Sequence, residues 1–251
     1  MNPLLKSLIM IIYPAQCRFC KQTLDPSHGY YICRNCWEAI KPVETPFCEI
    51  CGYPLSQFPA LPEKVYSCRN CPDDVRFRRA RSITDYDSAA GEAIRLLKYH
   101  GKTVMAKRLA DLMAKAMPSF LNIEDYDCII PVPIYKKKRR QRGYNQMELI
   151  GRIFSSKTGL YMNIVSLIKI KDTQPQASLS LKERKTNVKD AYKVIDPDLI
   201  AGKRILLIDD VYTTGTTVNE CAKTLLNQGK ANYIDVFTIA RRITESEIDI
   251  L

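Results

Sequence analysis

The chain has 251 residues, 46% of them hydrophobic, and carries 38 lysines and arginines against 27 aspartates and glutamates, a formal charge of +11. That size and apolar content allow a full core and suit one ordinary domain plus a smaller unit. The charge favours anionic partners, whether phosphates, nucleic acid or a membrane surface. No stretch approaches the roughly 20 apolar residues of a membrane span, so no transmembrane segment is expected.

Residues 1–16, "MNPLLKSLIMIIYPAQ", place a lysine ahead of a short apolar run. A secretory signal would need a small residue where Gln16 stands and a longer apolar stretch than Leu8 to Tyr13. The segment predicts a docked amphipathic N-terminal helix, and the chain is expected to be cytoplasmic.

Residues 17–75 hold eight of the ten cysteines as four CxxC pairs, Cys17/Cys20, Cys33/Cys36, Cys48/Cys51 and Cys68/Cys71. Two thiolates three positions apart on a tight turn face the same way, and each pair supplies half of a tetrahedral zinc site. Two structural zinc sites are expected. Neighbouring pairs joining in sequence is the preferred arrangement, and an interleaved one satisfies the same spacing. A disulfide framework would need an oxidising compartment, which nothing here indicates, and a redox CxxC would be a single pair. Gly52, directly after Cys51, suits such a knuckle because it accepts a positive φ. His28 and His100 read as ordinary surface positions, and Cys128 and Cys221 as small core residues. Metallation would bring the net charge to about +7, since each tetrathiolate zinc is a dianion.

Residues 81–245 alternate between strand and helix patterns. "RSITDYD" reads as a strand. "SAAGEAIRLLKYHG" and "TVMAKRLADLMAKAM" read as helices, "DCIIPVP" as a buried strand, and "NQMELIGRIFSSKTG" as a helix stopped by Gly159. "VSLIKIKD" and "KRILLIDD" read as strands, "TTVNECAKTLLNQG" as a helix and "YIDVFTIARR" as a last strand. The fold class is α/β, a mostly parallel sheet with helices on both faces. Two basic runs stand out. "RFRRAR" (Arg76 to Arg81) joins the two units, and "KKKRRQR" (Lys136 to Arg142) reads as a basic loop.

In such sheets ligands sit beyond the carboxyl ends of the strands. There "ILLIDDVYTTGTT" sets Asp209 and Asp210 just before the turn of Thr213, Thr214, Gly215, Thr216 and Thr217. Backbone N–H groups, hydroxyls and a helix dipole at that turn suit a phosphate monoester. Carboxylates just upstream repel phosphate but accept bonds from sugar hydroxyls or attract a divalent cation. A ribose 5-phosphate satisfies both halves. Helix capping by Thr213 or Thr214 explains the turn but not the acids. A Walker A loop is excluded, because the lysine is missing.

This stretch resembles the phosphoribosyl pyrophosphate (PRPP) motif of type I phosphoribosyltransferases. Together with "LLKYHG" (96–101), "PVPIYKKKRRQRGYNQ" (131–146), "TQPQASLSLKERKTNVKDAY" (173–192) and the CxxC-rich start, the chain resembles the ComF competence-protein family, a double zinc ribbon ahead of a phosphoribosyltransferase-like domain. The resemblance runs over nearly the whole chain. It implies that Asp209 and Asp210 hold the ribose hydroxyls and that Val211 and Thr213 to Thr217 frame the 5-phosphate. Ile134, Tyr135 and Lys136 would approach the pyrophosphate, and the segment from about Lys171 to Asn187 would close over the site. In a working transferase Mg²⁺ bound with PRPP, and cations such as Lys171 or Arg184, would stabilise the departing pyrophosphate.

No acceptor-reading motif accompanies these residues, so turnover is left open by the sequence. Lys136, Lys137, Lys138, Arg139, Arg140 and Arg142, bracketed by Tyr135 and Tyr144, suit single-stranded DNA, with phosphates on cations and bases on rings. Two readings follow: a transformation protein that handles incoming single-stranded DNA, with a helicase of the uptake machinery as a possible partner at the ribbons, or a phosphoribosyltransferase with an unidentified acceptor.

Overall fold

The computed structural model describes residues 15–24, 31–55, 68, 71–72, 74–173 and 187–243. The helix expected over residues 1–16 lies outside them except for Ala15 and Gln16, and His28 and Arg184 lie outside them too.

Among the described residues there are six strands: β1 (Arg79–Asp85), β2 (Cys128–Pro131), β3 (Leu167–Lys169), β4 (Tyr192–Val194), β5 (Arg204–Tyr212) and β6 (Tyr233–Arg241). Four of them form a wholly parallel sheet in the order β1-β6-β5-β2. The run "RILLIDDVY" makes β5 a central strand because both of its faces are covered, and Ile205, Leu206, Leu207 and Ile208 are all fully buried.

On one face lie α2 (Ala89–Tyr99), α3 (Val104–Ala116) and α5 (Gln146–Thr158). Their apolar stripes, with Leu97, Leu109, Met113, Ile150 and Phe154, pack on Leu206, Ile208 and Phe237. The opposite face carries α6 (Thr216–Asn227) and the antiparallel β3–β4 hairpin. There Val218, Leu225, Leu167 and Tyr192 cover Ile205, Leu207 and Val236. Cys128 and Cys221 are buried in this second cluster, as expected.

Three expectations need correction. The basic run is not a loop: Lys136–Arg142 is a helix, α4, closed by Gly143. Lysine, arginine and glutamine are strong helix formers, and the run concealed the helix because it has no apolar period. "VSLIKIKD" does form a strand, β3, but it pairs only with β4 outside the main sheet. The arginines of "RFRRAR" are not a simple connector, because β1 already starts at Arg79, and Arg78 and Arg79 pair with the buried Asp235 of β6 at 2.7 and 2.8 Å.

The cysteine-rich segment docks along β1, the sheet edge. Val43 N–H donates to the Ile83 carbonyl (2.8 Å), and Ala80 N–H donates to the Ile50 carbonyl (2.6 Å). Gly52 has φ +68°, and a Cβ there would run into the Ala80 carbonyl, so the knuckle can approach β1 only with glycine. An edge that would otherwise offer free backbone groups is thereby covered. The short helix α1 (Arg34–Glu38) belongs to this segment. Among the described residues, no helix is long and apolar enough to cross a membrane.

Candidate phosphate and metal sites

The long helix that follows β2 and α4 (α5) and the helix after β5 (α6) pack on opposite faces, although β2 and β5 are neighbours. A crevice opens beyond the carboxyl ends of two such strands, at the point where the chain switches face. Asp209 and Asp210 lie there, inside β5, which continues to Tyr212. The β2–α4 connection emerges alongside, with Val132 N–H donating to the Ile208 carbonyl at 2.9 Å.

Successive strand residues point to opposite faces, and this separates the two acids. Asp210 turns toward α2 and α5, where Lys98 Nζ donates to Oδ1 (2.7 Å) and Gln146 Nε2 to Oδ2 (2.9 Å). Burial alone would pull the Lys98 ammonium down, but Asp210 and then Asp209 push it up overall. Asp209 turns toward α6 and the hairpin, where its charge bears on Lys169, Tyr192 and Cys221. Its Oδ1 accepts the Asp210 N–H at 2.9 Å. Burial, and then the neighbouring Asp210 carboxylate, push Asp209 up to about 7.

The turn after β5 is closed by Gly215, which precedes α6 at φ +72°. The N-cap position is Gly215 and not Thr213 or Thr214, and it makes no side-chain cap bond. Thr214 and Thr216 bring their hydroxyls to 2.6 Å of each other across the turn.

Two lysines meet at Thr173, and one of them, Lys169, feels the Asp209 charge. Lys138 of α4 donates to the Thr173 carbonyl (2.9 Å) and Lys169 of β3 to the Thr173 hydroxyl (2.7 Å). Both ammonium groups are pulled down by burial, Lys169 further by Lys138. Lys171, expected to be a loop cation of the site, instead donates to the Lys189 carbonyl at 2.8 Å and is exposed. Lys98 and Gln146 sit within two of the quoted motifs, which was the available signal for them. Lys169 had none beyond its place in an apolar strand.

The basic helix divides its charges. Arg139 holds Glu148 through two bonds of 2.9 and 3.0 Å, Arg142 donates to Gln146, and Lys137 lies 3.6 Å from Asp172. Lys136, Lys137, Arg139 and Arg140 are exposed, while Tyr144 is half-buried and donates its hydroxyl to the Leu97 carbonyl. Ile134 and Tyr135 are half-buried at the entrance to the helix.

The cysteines form two groups in sequence order, Cys17/Cys20/Cys33/Cys36 and Cys48/Cys51/Cys68/Cys71, each with its sulfurs within 4.8 Å of one another. Cys17–Cys36 and Cys20–Cys33 are 3.9 and 3.8 Å apart, and Cys48–Cys71 and Cys51–Cys68 are 3.6 and 3.4 Å apart. A tetrahedron with Zn–S bonds of about 2.3 Å has edges of about 3.8 Å, so both sets fit structural zinc. The first group packs with the α2/α3/α5 face and the second with the α6 face.

These features define an α/β domain with a glycine-led helix N-terminus beside a strand-end acid pair, preceded by a module of two four-cysteine sites. Residues 8–72 match the double zinc ribbon domain. The chain is 28% identical over 238 residues to the DNA utilization protein YhgH of Salmonella typhimurium, covering 93% of this chain and all of that one. It is 28% identical over 239 residues to competence protein F of Haemophilus influenzae, with the same coverage. It is 25% identical over 224 residues to competence protein ComFC of Bacillus subtilis, covering 84% of each. The chain is thus a homologue of the ComF-type competence and DNA-utilization proteins. A hypoxanthine phosphoribosyltransferase from Staphylococcus aureus is a weak structural neighbour, 18% identical over 59% of this chain and 68% of its own, with a TM-score of 0.32.

Proposed function

We propose that this chain is a ComF-type protein of DNA uptake that holds PRPP or another ribose 5-phosphate group in the β5–α6 crevice and handles single-stranded DNA on the exposed face of α4. The observation that carries the reading is the glycine-led turn at the N-terminus of α6, flanked by threonines, one short turn after Asp209 and Asp210. The anion would meet backbone N–H groups and hydroxyls there, and Asp209, which no cation pairs among the described residues, would accept from the sugar. Asp210 would act mainly as the anchor for Lys98 and Gln146. Mg²⁺ arriving with PRPP would offset the charge of its pyrophosphate. Exposed Lys136, Lys137, Arg139 and Arg140 would follow a DNA backbone, and the names of the relatives support this half of the reading. The cytoplasm and a helicase partner belong to the same reading.

The test is calorimetry of the zinc-loaded chain with PRPP, with and without Mg²⁺, and separately with a single-stranded oligonucleotide. Asp209→Asn should abolish PRPP heat and spare DNA binding, whereas a Lys136→Glu, Lys137→Glu, Arg140→Glu triple variant should do the reverse. Loss of salt dependence in DNA binding should accompany the triple variant. No heat with PRPP under any condition refutes the pocket.

One observation favours turnover as a second reading. Lys138 and Lys169 converge on Thr173, and Lys169 also feels the Asp209 charge, so a departing pyrophosphate would find two cations there. Transfer would break the bond from C1 of the ribose to pyrophosphate and form one to an acceptor nucleophile. Pyrophosphate release that requires an added acceptor and fails in Lys169→Met supports it, and silence across nucleobases, amines and nucleic acid ends counts against it.

A further inference from the structure

Arg241, the last residue of β6, has its side chain almost wholly buried, at 1% exposure. Its Nη1 donates to the Cys51 carbonyl (2.9 Å), and its guanidinium lies over the rings of Tyr53 (4.8 Å) and Tyr212 (5.3 Å). Among the described residues its Nε has no hydrogen-bond partner, and no carboxylate pairs with it. Arginine cannot shed its proton, and a buried guanidinium without an anion costs several kcal/mol. The group beside it is the tetrathiolate set containing Cys51, which becomes a dianion when zinc is bound. The first cysteine set differs, because Cys20 is exposed and water can screen that centre.

The same arginine reaches the phosphate turn. Tyr212 follows Asp210 by two residues, its ring meets Phe77 edge-on at 6.5 Å, and its buried hydroxyl has no partner among the described residues. That hydroxyl, together with Pro72 next to Cys71, fills the space a Cβ on Gly215 would need. A second tie runs from the same cysteine segment to α6. Asn219 Nδ2 donates to the Asp74 carbonyl (2.7 Å), and Arg76 N–H donates to Asn219 Oδ1 (2.7 Å). The second metal centre and the N-terminal turn of α6 therefore share two walls.

We propose that Arg241 is the counter-ion of the metal centre formed by Cys48, Cys51, Cys68 and Cys71, and that through Tyr212 and Pro72 occupancy of this centre sets the conformation of the turn at residues 213–217. Arg241 is a positioning residue, and the inference rests on the zinc reading of these cysteines. Only its consequence for ligand affinity rests on the ribose-phosphate reading.

The experiment follows zinc release from the full chain into a chromogenic chelator, alongside amide hydrogen exchange at residues 212–217. Arg241→Met, which keeps the bulk and removes the charge, should release one of two zinc equivalents roughly tenfold faster or more, and should raise exchange at the turn. Arg241→Lys should restore much of both, which a purely steric role would not do. Zinc-stripped wild type supplies the measurement if Arg241→Met does not fold: exchange at 212–217 should rise before exchange in the core of β5. Unchanged zinc release in Arg241→Met, or a turn whose exchange ignores loss of the second zinc, overturns the proposal. Neither readout uses PRPP, so failure of PRPP to bind would count against the pocket alone.

Discussion

Lys98 Nζ lies 2.7 Å from Asp210 Oδ1, while Asp209, one residue earlier in the same strand, is paired with no cation among the described residues. Two chemically identical neighbours are thus given different surroundings by strand alternation: Asp210 is tied into the frame, and Asp209 keeps a carboxylate without a cation partner among the described residues.

The Lys98–Asp210 pair is largely out of water, with side-chain exposures of 21% and 5%. Removing only the lysine leaves a buried carboxylate supported by Gln146 alone. Lys98→Met should therefore destabilise the chain by about 3 kcal/mol in urea unfolding, within the usual range for breaking a buried pair. Adding Asp210→Asn should recover much of that loss, giving a clear interaction energy in the double-mutant cycle. Simple addition of the two single effects would show that the pair is not coupled.

Asp209 should give the site a pH dependence near neutrality. Burial and the Asp210 charge raise it to about 7 in the folded chain, against about 3.9 when unfolded. An acid raised on folding costs stability in its ionised form, so its contribution improves as pH falls from about 7 toward 4. On the proposed ribose-phosphate function ligand binding would run the other way, because the sugar hydroxyls need an ionised Asp209 as their acceptor. Affinity for PRPP with Mg²⁺ should thus rise through pH 7 beyond what the ligand's own phosphate ionisation gives. Asp209→Asn should be weak and lack that extra slope, and equal slopes in both proteins would refute the assignment.

Much of this frame was legible in the sequence, and the reasons are local. "ILLIDD" reads as a strongly buried strand, because no surface strand buries every residue of such a run. The four CxxC pairs announced two tetrahedral sites, since each site demands two such turns, but left their pairing to the structure, which joins neighbours. What escaped was set by tertiary contact. Lys169 reads as an interruption in an apolar strand until the hairpin folds it toward Asp209. Arg241 reads as a charged strand end until the ribbon covers it. Helix α4 was missed because it presents no apolar stripe, being held by Glu148, Gln146 and the Thr173 carbonyl.

The two cysteine sets should load independently. The chain as purified without chelator is expected to carry two zinc equivalents by elemental analysis. Cys20→Ser should drop this to one and leave the α6 face intact, since its centre packs with the α2/α3/α5 face. Cys51→Ser should also leave one equivalent, but with a larger fall in thermal stability, because that centre is buried against the α6 face. Equal thermal losses would mean that depth of burial does not decide what each centre contributes.

Gly215 offers the sharpest check on the phosphate turn. Its φ of +72° lies where a Cβ costs about 1–2 kcal/mol, and a Cβ there would also overlap the Tyr212 hydroxyl. Gly215→Ala should thus lower stability by more than the backbone term and weaken any anion at the start of α6. Tyr212→Phe removes the obstructing oxygen, which has no hydrogen-bond partner among the described residues, so alone it should cost little. Combined, the two changes should recover only part of the added loss, because the ring carbon Cζ at position 212 would still lie 2.7 Å from the new Cβ, and phosphate affinity should stay low, because the displaced turn no longer aims its N–H groups at one point. Full recovery of phosphate affinity in the double variant would show that the turn binds through its threonine hydroxyls and not through the open end of the helix.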